Sequence, residues 1–235
     1  MSICNPYRFP TASQTLPIST GGLEAWWELN DDGVWADSSG NGRHLTETGT
    51  GVTNVTNGGA DGTSDSADFP GTDSTDYLSR TAEAWMDVTT DFTLICWIKM
   101  DDTIGAKAWY DRYDNGQGFS IYSSGDDIIF YLNNVSTNQL AVFNILSAGA
   151  WAFIAARREG DNYDLRVNTT NDTQLTDTTG PNGLEAEDLG IGRRTESVAS
   201  FEAAGEMQRV SWWSRRLSDA ELDSLYNNGN GVSYI

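Results

Sequence analysis

Apolar and polar residues alternate along most of this chain in short runs. The runs are separated by Gly, Asn and Asp. Alternation with period two, broken at intervals of about ten residues by turn formers, predicts a series of short antiparallel strands. The clearest run is DFTLICWIKM at 91–100. Phe92, Leu94, Cys96, Ile98 and Met100 share one face, and Ile95 and Trp97 make the other face partly apolar. A strand that is apolar on both sides belongs in the centre of a sheet whose second face is also covered. At 21–29, Leu23, Ala25 and Trp27 alternate with Glu24, Trp26 and Glu28. Further strands are predicted at 43–50, 66–69, 76–80, 107–111, 118–122 and 128–132. Others follow at 139–144, 151–158, 163–167, 173–176, 188–192 and 207–213. The Gly-, Asn- and Thr-rich stretch 52–65 reads as a loop. The pattern predicts an all-β, two-sheet antiparallel sandwich over residues 21–235, with no internal repeat and no linker.

The period changes once. In GEMQRVSWWSRRLSDAELDSLYNNG, 205–229, a strand runs into a short helix. Ser218 and Glu221 form a capping box, each side chain serving a backbone N–H at the helix start. Leu217 and Leu222 are placed for a hydrophobic staple. Leu222, Leu225 and Tyr226 make one apolar stripe, and Gly229 suits a left-handed residue that ends the helix. A helix this short is marginal alone and has to dock on the sandwich.

Residues 1–20 differ from the rest. Pro6, Pro10 and Pro17 exclude regular helix and disturb sheet pairing. Ile3, Tyr7, Phe9, Leu16 and Ile18 are too apolar for a free tail. The stretch reads as an extended arm that lies on its own sandwich or on a neighbouring subunit, with Ile3, Tyr7, Phe9 and Leu16 as assembly contacts.

Composition narrows the partners. The net charge is −20, which repels phosphate backbones and argues against nucleic acid. No window is long and apolar enough to span a bilayer, so no membrane partner is expected. The opening MSICNPYRFPTASQ lacks a basic start followed by an apolar run and does not read as a signal peptide. Cys4 and Cys96 do not make a disulfide framework, and Cys96 inside a strand behaves as a small apolar residue. The Asn-x-Ser/Thr triplets at Asn54, Asn134, Asn168 and Asn171 matter only in a glycosylating compartment.

The stretches GLEAWWELND, DSSGNG, ADFPGTDSTDYL, DFTLICWIKM, AWAFIAARREGDNYDLRVN, LGIGRR and GEMQRVSWWSRRLSDAELDSLY follow one another between 22 and 229. In that order and spacing the chain resembles the laminin-G-like jelly-roll family of the concanavalin A-like lectin/glucanase group. The resemblance implies two packed antiparallel sheets, adjacent first and last strands and a short C-terminal helix. That family is mainly a binding and adhesion fold, and it also occurs in enzymes and in phage structural proteins.

Three kinds of site are candidates. Oxygens of Asp37, Ser39 and Asn41 at alternate positions before Gly42 resemble the first half of a calcium loop. The twelfth position is Thr48 where a bidentate Glu is required, and the plain alternative is an Asx turn. The resemblance implies a calcium site where this turn meets the penultimate strand, commonly with an acidic pair, but the matching positions here are Gln208 and Arg209. For sugar stacking, the aromatic candidates are Trp26, Trp27, Trp109, Tyr110, Tyr113, Trp212 and Trp213. One of each adjacent Trp pair belongs in the core, and the other on an outer face, exposed or covered. The favoured glycan loop is 109–118, with Trp109, Tyr110, Asp111, Arg112, Tyr113 and Asn115 as contacts; a plain surface hairpin is the alternative. For catalysis, related glucanases carry alternating acids on one strand, and only Glu185 and Glu187 come near that pattern. His44, the single histidine, has no neighbouring nucleophile.

The leading expectation is a non-enzymatic bacteriophage virion protein, a capsid decoration or tail-associated subunit. It would dock on phage proteins or sister subunits through the arm, need no cofactor, and contact host-surface glycan. The habits of decoration proteins imply a homo-trimer. The alternatives are a free carbohydrate-binding adhesin at an extracellular surface and, third, a glycoside hydrolase.

Overall fold

The computed structural model describes residues 15–30, 35–71, 75–114, 117–133, 139–171, 174–181, 187–194 and 201–234. In chain order the strands begin with β1 (Leu23–Trp27), β2 (Thr46–Thr48), β3 (Thr53–Val55), β4 (Ser66–Pro70) and β5 (Tyr77–Arg80). Then come β6 (Phe92–Met100), β7 (Ala106–Asp114), β8 (Gln117–Ser124), β9 (Asp127–Leu132), β10 (Gln139–Val142) and β11 (Trp151–Glu159). The last are β12 (Asn162–Val167), β13 (Thr170–Asn171), β14 (Leu175–Thr176), β15 (Leu189–Ile191) and β16 (Ala204–Trp213), followed by the helix α1 (Asp219–Tyr226).

Among the described residues the strands form two antiparallel sheets. One runs β13-β12-β11-β6-β16-β4-β3, with β1 added to β16 and β14 to β12. The other runs β10-β9-β8-β7-β15-β5-β2. The first and last strands pair as expected, Trp27 opposite Val210. The 52–65 stretch is not all loop: β3 pairs with β4 there.

Strand β6 is central, between β11 and β16, as its two apolar faces require. Phe92, Leu94, Cys96, Ile98 and Met100 enter the inter-sheet core with Phe69, Phe119, Phe130 and Trp212. Ile95 and Trp97 point the other way, into a second apolar cluster with Trp26, Phe153, Trp213, Leu222 and Leu225. The adjacent Trp pairs split as period two demands: Trp27 and Trp212 go to the core, and Trp26 and Trp213 to the second cluster.

That second cluster is roofed by the chain itself. Helix α1 has both halves of its capping box, and Leu217, Leu222 and Leu225 are buried. Burying each contributes about 1.5–3 kcal/mol, enough to hold a helix that is marginal alone. Ion pairs fix it further: Arg157 reaches Asp219 at 2.7 Å, and Arg166 pairs with Asp223. The helix ends at Asn227, whose φ of 46° and ψ of 52° are left-handed, two residues earlier than Gly229. Asn tolerates this conformation better than other residues that carry a Cβ. Leu16 is buried in the roof and Ile18 packs against it, so the last part of the arm lies on its own sandwich. Ile3, Tyr7 and Phe9 fall outside the described residues. Among those residues no helix is long and apolar enough to cross a membrane.

Candidate functional site

With one sheet face roofed, the site of interest lies on the outer face of the other sheet. In β8, Phe119 and Ile121 point into the core, so Ser120 and Tyr122 point out. The same alternation turns Tyr131 of β9 and Gln139 of β10 outward. The ladder places Ser120 opposite Tyr131, and Tyr131 opposite Gln139, so these side chains form one row across three strands. Tyr113 of β7 lies beside the row and meets Tyr131 edge-on, ring centroids 5.2 Å apart. Arg194 and Phe201 close the end.

Together Tyr113, Ser120, Tyr122, Tyr131, Gln139, Arg194 and Phe201 line a pocket of about 190 Å³. The Arg194 guanidinium lies 3.8 Å above the Tyr113 ring and 4.9 Å from that of Phe201. Phe201 meets Tyr122 edge-on at 6.0 Å. Gln139 Nε2 donates to the Tyr122 hydroxyl at 3.2 Å. Burial holds the Tyr122 phenol above its ordinary value, Arg194 opposing and Tyr131 adding to the shift. The pocket thus offers ring faces and edges, phenol hydroxyls, an amide and a guanidinium. Such groups recognise a ligand that has both apolar C–H faces and hydroxyls. None of the seven described lining residues is a carboxylate, histidine or cysteine.

The expected glycan loop is a strand. Trp109 and Tyr110 are fully buried in the inter-sheet core and present no plane to solvent. A bulge in the β7–β8 ladder pairs Ala108 with Tyr122 and Tyr110 with Ile121, leaving Trp109 as the extra residue. Both neighbours therefore turn inward, where strict alternation allows one. Trp109 Nε1 donates to Ser123 Oγ at 3.1 Å, and Tyr110 packs edge-on against Phe119 and Trp212. Arg112 is buried, its guanidinium donating to the carbonyls of Met86 and Glu187. Asp111 is buried and accepts the Tyr113 N–H at 3.1 Å. Of the five described residues Tyr113 alone lines the pocket, and Asn115 lies outside the described residues.

Asp37, Ser39 and Asn41, the residues of the calcium-loop reading, lie in a hydrogen-bonded turn. Asp37 Oδ1 accepts the N–H groups of Trp26 and Ser39, and Oδ2 accepts the Arg43 N–H and the Ser39 hydroxyl. The Ser39 hydroxyl also meets the Glu24 carbonyl, and the Asn41 amide donates to the carbonyls of Leu23 and Glu24. His44 Nδ1 accepts the Asp37 N–H at 3.0 Å. These side chains clamp the turn onto β1, and the carboxylate is saturated by donors. Among the described residues no group of three or more Asp, Glu, His or Cys side chains is placed to hold a metal. Of the alternating acids, Glu185 lies outside the described residues.

Residues missed from sequence are Ser120, Tyr122, Tyr131, Gln139, Arg194 and Phe201. The available signal was the outward half of each alternating strand, polar or tyrosine where the inward half is Phe, Ile or Leu.

The sequence profile of the concanavalin A-like lectin/glucanases superfamily matches residues 61–223. No curated protein sequence matches the chain. Among solved structures, the binding domain of Paraclostridial Mosquitocidal Protein 1 is similar at a TM-score of 0.70 and 16% identity, over 88% of this chain and 52% of that one. The botulinum neurotoxin serotype D binding domain gives 0.70 and 11%, with the same two coverages. Botulinum neurotoxin type C, whose cell entry depends on interaction with two ganglioside molecules, gives 0.63 and 13%, over 88% and 51%. The chain spans about half the length of these structures, and at such identities the likeness is one of fold.

Proposed function

The chain belongs to the concanavalin A-like lectin/glucanases superfamily, and from there we propose that it is a non-enzymatic carbohydrate-binding domain. Its glycan seat is the pocket on the outer face of the β10–β2 sheet. The observation that carries this reading is the pocket lining: four aromatic rings, one guanidinium, a serine and a glutamine, with no carboxylate among them. Tyrosine rings pack on the apolar face of a sugar, while Arg194, Gln139 and the phenols bond its hydroxyls. The ganglioside-dependent cell entry of one structural neighbour supports a glycan partner by analogy of fold. The test is a glycan array probed with the whole chain. Saturable binding to a defined set of glycans supports the reading, and an array without hits removes it.

A second reading is compatible with the first: a bacteriophage virion subunit, trimeric and residing in the particle, whose glycan pocket faces the host. It is supported by the net charge of −20 and by two apolar side chains on the surface, Ile104 at 78% and Phe143 at 67% exposure. A neighbouring subunit would cover them. Removing residues 1–14 leaves Leu16 seated and deletes Ile3, Tyr7 and Phe9. Co-sedimentation of the full chain with phage particles, lost in that truncation, is the expected result. Equal sedimentation of both forms counts against arm docking, and sedimentation of neither counts against the virion.

A further inference from the structure

On the roofed face lies a buried charged cluster that the glycan reading does not use. Arg209 sits at a bulge in β16, between Gln208 and Ser211, with a left-handed φ of 49°. Its N–H donates to the Glu28 carbonyl at 3.1 Å. Its guanidinium holds three segments together. Nη1 donates to the Asn230 carbonyl at 2.6 Å. Nη2 donates to Ser64 Oγ at 3.0 Å and to Ser233 Oγ at 3.1 Å, and pairs with Asp61. Nε faces Glu28 Oε2 at 3.6 Å, a looser pair.

Glu28 carries the other half of the fastening. Its Oε1 accepts the Trp26 indole N–H at 2.6 Å and the backbone N–H of Tyr234. The Tyr234 ring closes edge-on over Trp26, centroids 6.0 Å apart. Gly231, at a φ of 67°, lets the chain pass close to the guanidinium: a Cβ there would lie 2.1 Å from Arg209 Nη1.

One cation therefore serves two carboxylates. For Asp61, burial is more than offset by the N–H groups of Ser64 and Thr63 and by Arg209, and its carboxyl stays well below the usual range. Asp61 already balances Arg209, so an ionised Glu28 is a surplus buried charge.

We propose that residues 230–234 are a strap that closes over Trp26 and Arg209 in acid and loosens as pH rises toward neutrality, with Glu28 as the group that takes the proton. The charged group facing Glu28 is Arg209 of β16, which Asp61 of the 56–65 loop shares from its other side. Burial raises the Glu28 carboxyl to about 7, against the hydrogen bonds from Tyr234, Trp26 and Ser233 and the nearby charge of Arg209. The closed state keeps a proton that the open, solvated state releases near its ordinary 4.5. Closure is fully favoured below that value and is lost as pH rises through about 7. The same strap covers an apolar and cationic surface, so its opening presents Trp26 and Arg209 to solvent.

The test is hydrogen exchange of the peptide spanning 227–234 in the whole chain, corrected for intrinsic rates. Protection should fall about tenfold for each pH unit between roughly 5 and 6.5, the slope for one linked proton. Glu28→Gln keeps the acceptor for Trp26 and Tyr234 without the titration, and should hold the strap closed at both ends of that range. PH-independent protection in the natural chain overturns the proposal, as does an unchanged slope in Glu28→Gln. If that variant fails to fold, the Glu28 side-chain carbonyl resonance of the natural chain decides: titration near neutrality supports the strap, and titration near 4.5 overturns it.

Discussion

Tyr226 lies flat on Trp97, ring centroids 5.8 Å apart and planes 8° from parallel. This stack joins the last residue of α1 to the central strand β6. Tyr226→Ala removes it, and the expected loss is about 2–3 kcal/mol, the ring burial plus an aromatic pair term of about 1 kcal/mol. Ser218→Ala, which breaks the capping box, should cost about 1 kcal/mol. Urea unfolding followed by far-ultraviolet dichroism checks both. A midpoint unchanged in Tyr226→Ala would mean that the roof contributes nothing to the sandwich.

Asp37 is predicted to be a structural clamp. Asp37→Ala leaves the N–H groups of Trp26, Ser39 and Arg43 without their acceptor, at a cost of about 3 kcal/mol or more. A chelator should leave the melting temperature of the natural chain where it was. Stabilisation by millimolar calcium that disappears in Asp37→Ala would restore the cation site.

Variants separate the pocket from the buried aromatics. Tyr122→Ala and Tyr131→Ala should each weaken glycan binding about tenfold or more, equivalent to about 1.4 kcal/mol, and move the melting temperature little. Trp109→Phe should do the reverse, because its indole bonds Ser123 inside the core. Isothermal titration with the best array hit, run beside thermal melts, reads both. Loss of binding in Trp109→Phe alone would return the site to the 109–118 hairpin.

Two glutamates set opposite slopes in stability against pH. The bonds from Arg215 and Ser218 hold Glu221 down at about 2, against burial. Its stabilising contribution is therefore present above about 4.5 and lost as pH falls toward 2. Glu28, raised to about 7, contributes most below about 4.5 and loses it as pH rises through about 7. Glu221→Gln should flatten the acid limb of a melting-temperature profile, and Glu28→Gln the limb between about 4.5 and 7. Unaltered limbs would place the titrating groups elsewhere.

What could be read from sequence was whatever is fixed locally. Ser218 and Glu221 are three residues apart, and their hydrogen bonds need no knowledge of the rest of the chain. The two faces of β6 follow from period two alone. The pocket obeys neither condition. Ser120, Tyr131 and Gln139 become neighbours only through the register of three strands, and Arg194 and Phe201 reach them from beyond β15. The placement of Trp109 depended on a single bulge, which reverses the face of every residue on one side of it. Asp37 looked like a ligand because the side chains that saturate a turn are the ones that hold calcium; only the positions of its four donors tell the two apart.

Cys96 is fully enclosed at the centre of β6, and its burial pushes the thiol far above its ordinary value. Cys96 faces the inter-sheet core, so the thiolate that reacts with a labelling reagent forms only when that core opens. The residue is thus a native clock for the opening of the core between the two sheets. At saturating reagent, the rate of its modification equals the rate at which the sandwich comes apart, with no engineered probe in the core.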